Sequence, residues 1–163
     1  LEHGVVGLNL RPPLIYGRGA RGNWPLFCRL IESGVPLPFQ SIDNRRSYLG
    51  IDNLCDLITT LVDREPDPST GGCYHVADAG TVSLSKVVAH LRESIGIGPR
   101  QFRLPANFME TVLAIVGRRE MASGLFGNLV VDSTLLQRTF GWSPPFPTLE
   151  SMARSLRSTR GEP

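Results

Sequence analysis

Short apolar strands alternating with amphipathic helices predict an α/β fold with an incomplete sheet. Val5-Val6-Gly7-Leu8-Asn9-Leu10 and Cys73-Tyr74-His75-Val76-Ala77 have the length and composition of buried strands. Between and after them, apolar residues recur at helical spacing. The strands are too few and too scattered for a complete doubly wound sheet, although 163 residues give room for one domain with a proper core.

The first strand begins a few residues into the chain and reads as cut from a larger sheet. Arg11-Pro12-Pro13 ends it, because proline cannot donate to a ladder. Leu14-Ile15-Tyr16 runs into the glycine-rich loop Gly17 to Gly22. Leu26, Phe27, Leu30 and Ile31 share one face of a helix predicted over 24–33, which Gly34 stops. Val35 to Phe39 is a short extended piece whose prolines bar it from a sheet centre, and Arg46 to Ile51 is another. Asp52 or Asn53 is placed to cap a helix carrying Leu54, Leu57, Ile58, Leu61 and Val62.

A turn-rich link over 66–72 leads to the strand at 73–77. Ser83 caps a helix with Leu84, Val87, Val88, Leu91 and Ile95 inward, ending at Gly96. A short strand is predicted near 100–104, then a helix over 107–116 that starts with Asn107 and Glu110 in capping-box spacing. Leu129-Val130-Val131 is extended. Ser133 opens a helix that Gly141 closes, and Thr148 caps a last one holding Leu149, Met152, Ala153 and Leu156, with residues 157–163 expected to fray.

Seventeen basic residues against fifteen acidic ones give a net charge of +2, which advertises neither nucleic-acid nor membrane binding. Sixteen of the basic residues are arginine; Lys86 is the single lysine. Cys28, Cys55 and Cys73 fit neither a disulfide framework nor a metal knuckle, and their apolar neighbours predict three buried thiols. No apolar run reaches the roughly twenty residues of a membrane span. A reducing, cytoplasmic setting is the resulting expectation.

Gly17-x-Gly19-x-x-Gly22 has the form of a dinucleotide fingerprint. Such a fingerprint leaves a central strand directly, whereas here Pro12 and Pro13 stand close upstream and no parallel strand precedes Asp43. A loop near a substrate is the better reading. His3, His75 and His90 lack a nucleophile elbow or an acidic partner, and no metal-ligand spacing occurs, so no catalytic or metal residue is assigned. A Tyr-x-x-x-Lys proton-transfer dyad is absent, since Val82 stands four residues before Lys86. Arg45-Arg46-Ser47-Tyr48 offers guanidinium forks and a phenol suited to phosphate oxygens, and Pro36-Leu37-Pro38-Phe39 a rigid apolar slot for a flat base. A solvated edge and core packing are the plain alternatives.

In order along the chain, Leu10-Arg11-Pro12-Pro13-Leu14-Ile15-Tyr16-Gly17, Gly22-Asn23-Trp24, Pro36-Leu37-Pro38-Phe39 and Arg46-Ser47-Tyr48-Leu49-Gly50-Ile51-Asp52-Asn53-Leu54 resemble the C-terminal half of an extended short-chain dehydrogenase/reductase. The resemblance is to the NAD-dependent sugar-nucleotide epimerase/dehydratase family. Tyr74 to Asp78 is similar to its late Rossmann strand, and Val131-Asp132-Ser133 with Phe140 to Pro145 to its closing segment. It implies an α/β fold of late Rossmann strands plus a small substrate-binding domain. Residues 1–163 would be one substrate-binding region, with the dinucleotide-binding half and its catalytic dyad outside the chain.

It further implies NAD as cofactor, with Pro12 and Leu14 at the nicotinamide end. A UDP-sugar or other nucleotide sugar would be the ligand: Asn23 and Arg46 on the diphosphate, Tyr48 beside Arg46, and Leu37, Pro38 and Phe39 against the base. The chain departs from the pattern at Gly124, where relatives carry a second diphosphate arginine that Arg118 or Arg119 could replace, and at Ser47, where many carry Asp. A non-catalytic binding or scaffold module, or a reductase part acting on a non-sugar substrate, are the alternatives. The chain alone is expected to be inactive, and its bare strand edges to self-associate or pair with the missing half.

Overall fold

The computed structural model describes residues 5–65, 67–105, 108, 111 and 124–159. Strand β1 (Leu8–Arg11) and β2 (Leu14–Tyr16) flank the Pro12-Pro13 break. Then come α1 (Asn23–Glu32), β3 (Tyr48–Gly50), α2 (Ile51–Val62), a 3-10 turn at Pro68–Thr70 and β4 (Gly72–His75). Helices α3 (Leu84–Ser94), α4 (Thr134–Phe140) and α5 (Thr148–Thr159) complete the described elements.

The sheet is incomplete, as expected. β1 pairs in parallel with β4, from Leu8 opposite Gly72 to Arg11 opposite His75. β2 pairs in parallel with β3, from Leu14 opposite Tyr48 to Tyr16 opposite Gly50. Each parallel pair requires a long crossover, which α1 supplies for one and α2 for the other. The two pairs communicate through the extension of β4, where Val76 N–H donates to Arg11 O (3.3 Å) and Asp78 N–H to Tyr48 O (2.8 Å).

Two apolar clusters follow from the helical stripes. The larger joins α1, α3 and α5 through Trp24, Ile31, Val88, Leu91, Met152 and Leu156. The smaller packs α2 and α4 on β3 and β4 through Leu49, Leu57, Val76, Leu136, Phe140 and Trp142. Ser83 caps α3 through the Lys86 amide (3.4 Å), and Gly141 ends α4 in the left-handed region at φ 61°.

Several local expectations are corrected. β1 lies over Leu8–Arg11 rather than from Val5. Neither Asp52 nor Asn53 caps α2: Gly50 holds the cap position, and Asn53 turns inward to Asp78 and Phe146. Of the pieces at 35–39 and 100–104, only a single bridge forms, Leu37 with Gln101, because the chain turns from residue 38 onward. Ser133 does open α4 from its N-cap position, while the Asp132 carboxylate accepts from the Thr134 amide (2.9 Å). Thr148 is the first residue of α5 rather than its cap, and α5 continues through Thr159 where fraying was expected. The helix predicted over 107–116 lies almost wholly outside the described residues, as do Arg118, Arg119 and His3.

β4 is not apolar on both faces, since Cys73 and His75 are exposed and only Tyr74 turns inward. Of the three cysteines expected to be buried, Cys28 is, whereas Cys55 and Cys73 are exposed. Burial, with Glu32 nearby, pushes the Cys28 thiol up to about 12. Titration of the native chain with an aromatic disulfide reagent near pH 8 should therefore count two fast thiols, the third appearing only on unfolding. Three fast thiols would contradict the burial of Cys28.

Candidate functional site

Residues 44–48 are stitched on both edges, and this places Arg46. Its backbone bridges Val82 on one side and Leu129 on the other. Val82 N–H donates to Arg46 O (2.9 Å), Ser47 N–H to Leu129 O (2.7 Å) and Leu129 N–H to Arg45 O (2.9 Å). Asn44 adds side-chain ties, donating to Leu125 O (3.0 Å) and Gly127 O (3.1 Å) while accepting from the Leu84 amide (2.9 Å). Ser47 Oγ accepts from the Val131 amide (3.0 Å), so serine here serves the backbone.

Arg46 is only 9% exposed, and its NH1 donates to Gly127 O (2.8 Å). Among the described residues no carboxylate pairs with it. Burial pushes the neighbouring Tyr48 phenol above its ordinary value, while the Arg46 guanidinium, through charge and a hydrogen bond, pulls the other way. The Tyr48 ring meets Tyr16 edge-on at 6.5 Å, and Tyr16 in turn packs on Trp24 at 5.4 Å. The Phe39 ring lies 6.2 Å from Phe126, next to the carbonyl that holds Arg46. Leu37 is buried beside Phe39 in the same cluster, with Pro38 half-buried between them.

The structure thus brings Phe39 and Arg46 to the 125–127 stretch, with Tyr48 beside Arg46 and Leu37 and Pro38 adjoining Phe39. Asn23 stands apart, exposed on the first turn of α1, while its neighbour Trp24 enters the core. Pro12 and Leu14 are exposed at the β1–β2 break. At the departure site, a Cβ on Gly124 would meet nothing within 4 Å.

Two clefts are open on the described surface. One of about 440 Å³ is lined by Pro144 to Pro147, His90 and Glu150; another of about 220 Å³ by Tyr16, Arg18, Asp52, Ser151 and Arg154. Neither includes any of the eight residues the sequence singles out.

Sequence reasoning missed the group that orders this region, the carboxylate of Asp78. It is 4% exposed and accepts from Tyr16 Oη (2.8 Å), Gly50 N (3.0 Å) and Asn53 Nδ2 (2.7 Å). Burial first, and Asp78 second, push the Tyr16 phenol far above its ordinary value, so it remains a donor. The only hint in the sequence is an acidic residue directly after an apolar strand. Asn44 and Asn53 carried no hint of their ties, which run to residues more than two dozen positions away.

Packing accounts for the first glycine of the Gly17-x-Gly19-x-x-Gly22 loop. β2 does lead straight into Gly17, but a Cβ there would stand 2.2 Å from Ile51 Cγ2, so this glycine serves the approach to α2. Pro12 and Leu14 are exposed apolar side chains and bring no polar group of their own to a cofactor. The residues present do not by themselves form a dinucleotide site. Among the described residues no cluster of metal-ligating side chains occurs either.

Strands in parallel pairs joined through crossover helices define an α/β protein with an incomplete sheet. No family model matches the chain. UDP-glucose 4-epimerase of Vibrio cholerae is 33% identical over 150 residues, which is 91% of this chain and 45% of that protein. In fold the chain is similar to UDP-N-acetylglucosamine 4-epimerase from Bacillus cereus, with a TM-score of 0.69 at 13% identity, covering 97% of this chain and 48% of that one. It is similar also to the Bordetella bronchiseptica enzyme WbmF solved in complex with NAD+ and UDP, with a TM-score of 0.67 at 18% identity, covering 98% and 48%. The similarity runs over nearly all of this chain and about half of each relative, as the C-terminal half of an extended short-chain dehydrogenase/reductase would match. It spans about half the length of the relatives it matches.

Proposed function

We propose that this chain is the nucleotide-sugar-binding part of an NAD-dependent epimerase or dehydratase, residues 1–163 forming one substrate-binding region. The observation that carries this reading is Arg46. A cation so deeply buried is costly without a counter-charge. Among the described residues its guanidinium donates to the Gly127 carbonyl. A diphosphate would complete its hydrogen bonding, because a guanidinium fork matches two phosphate oxygens at once.

In that role Arg46 grips the diphosphate and Tyr48 keeps the guanidinium aimed. Asn23 adds an amide from the start of α1, and Leu37, Pro38 and Phe39 seat the base. Work of this kind is orientation: it holds the sugar in one pose relative to the groups that react with it. Proton transfer through a Tyr-x-x-x-Lys dyad is not available from this chain, whose single lysine lacks the tyrosine. We therefore expect no epimerase turnover by the chain alone. NAD, the dyad and pairing with a dinucleotide-binding half, or self-association in its absence, belong to the whole protein in this reading.

Calorimetric titration with UDP tests it. Micromolar to submillimolar binding is expected, weakened about 30-fold in Arg46→Gln, since a charge-assisted bond to phosphate is worth about 2 kcal/mol. Absence of UDP binding by the wild-type chain would favour a scaffold role, and unchanged binding by Arg46→Gln would remove the assignment of that residue.

A further inference from the structure

Among the described residues the buried cation with the most hydrogen bonds is Arg92, on the face of α3 toward the end of α1; its Nε alone has no partner there. Arg92 is 0% exposed. NH1 donates to Pro99 O (3.0 Å) and Arg100 O (3.1 Å), and NH2 donates to Val35 O (2.7 Å) and, at longer range, Leu30 O (3.5 Å). Only a planar fork of donors reaches carbonyls on both sides at once; a lysine ammonium is a point charge.

One of those carbonyls belongs to a strained residue. Arg100 has φ 40°, the only positive value outside glycine among the described residues. An L-residue keeps such a conformation only where its surroundings over-determine it. Here the Arg100 carbonyl is held twice, by Arg92 and by Leu37 N–H (3.0 Å). Leu37 O then accepts from Phe102 N–H (3.0 Å), and Phe102 O from Gln40 N–H (3.3 Å). A continuous set of bonds thus runs from Arg92, through the strained turn, to both ends of Leu37-Pro38-Phe39.

We infer that Arg92 is a positioning residue: by gripping Val35 and the Arg100 turn it fixes the segment that seats the nucleotide base. This rests on the nucleotide-sugar reading above. Arg92 touches no ligand in this role and acts through Leu37 to Phe39, so its removal loosens recognition of the base and spares recognition of the phosphates. A residue that merely holds the fold together would weaken both alike.

The test compares UDP with inorganic pyrophosphate, by calorimetry on the 163-residue chain and its Arg92→Met variant. UDP affinity is expected to fall about tenfold while pyrophosphate affinity stays within about twofold. Equal weakening of the two ligands, or no change in either, would overturn the inference. If Arg92→Met fails to fold, Arg92→Lys, which keeps the stem and charge but not the fork, is read in the same way.

Should the wild-type chain bind no UDP, the functional reading fails, and amide exchange then decides the role of Arg92 on its own. The Leu37, Gln40 and Phe102 amides should exchange at least about tenfold faster in the variant, with Val87 in α3 unchanged. Unaltered protection at those three amides would reject the positioning role.

Discussion

Asp78→Ala should lower the unfolding free energy by about 4 kcal/mol. The carboxylate is buried with no cation beside it among the described residues, and hydrogen-bond donors alone stabilise its charge. Truncation leaves the Gly50 amide without an acceptor, a penalty of roughly 1–3 kcal/mol. Tyr16 and Asn53 lose their shorter bonds but keep Thr148 O (3.2 Å) and Phe146 O (2.9 Å), which limits the total. Asp78→Asn, which preserves shape but turns an amide group toward donors, should cost about half as much.

Asp78 also joins the two apolar clusters, since Tyr16 belongs to the larger and Asn53 leads into α2 beside the smaller. Trp24 reports on the first cluster and Trp142 on the second. Urea unfolding of single-tryptophan variants should therefore give coincident transitions in the parent background and separated ones with Asp78→Ala. A destabilisation below about 1 kcal/mol, or transitions that stay coincident, would show that Asp78 does not couple the clusters.

Gly17→Ala is expected to be destabilising by about 3 kcal/mol. Its φ of 143° lies where L-residues are rarely found, and the added methyl would stand 2.2 Å from Ile51 Cγ2 and 2.9 Å from Ile51 Cβ. Ile51 is the first residue of α2, so the clash drives β2 and α2 apart where Asp78 also binds Gly50. Combining the change with Ile51→Ala separates the two causes. The double variant should recover the part due to Cγ2 and retain the part due to backbone strain and Cβ. Gly19→Ala, at φ 78° but with open space around it, should cost only the backbone share, about 1 kcal/mol. Equal losses at Gly17 and Gly19 would mean that the close approach to Ile51 contributes nothing.

Much of the helical layout was legible because it is written in local repeats. Leu84, Val87, Val88 and Leu91 are all buried, as their spacing required, and Gly34, Gly96 and Gly141 adopt positive φ at helix ends. The caps were less legible. A short polar residue before a helix has several uses, and Asn53 is drawn inward by Asp78 rather than held at the helix start. Burial of the cysteines failed for a related reason: apolar sequence neighbours do not say which face of α2 or β4 a thiol occupies, and Cys55 and Cys73 fall on the outer faces.

At the candidate site, residue types were readable and partnerships were not. Arg46, Tyr48 and Phe39 stand out by chemistry and order along the chain. That Arg46 lies under Gly127 and that Phe39 faces Phe126 depends on bridges to Val82 and Leu129, tens of residues away. Arg92 gave no sign at all, because a lone arginine late in a helix ordinarily reads as solvated.

By itself the sequence determined the class of fold, the helix positions, the absence of a Tyr-x-x-x-Lys dyad and the resemblance that the 33% identity bears out. Each depends on residue type and short spacing, which the chain carries without folding. Only the tertiary structure decided which strands pair, which polar groups are buried and who satisfies them. Tyr16 and Asp78 lie 62 residues apart, and the strength of their bond comes from water excluded by packing that no local stretch supplies.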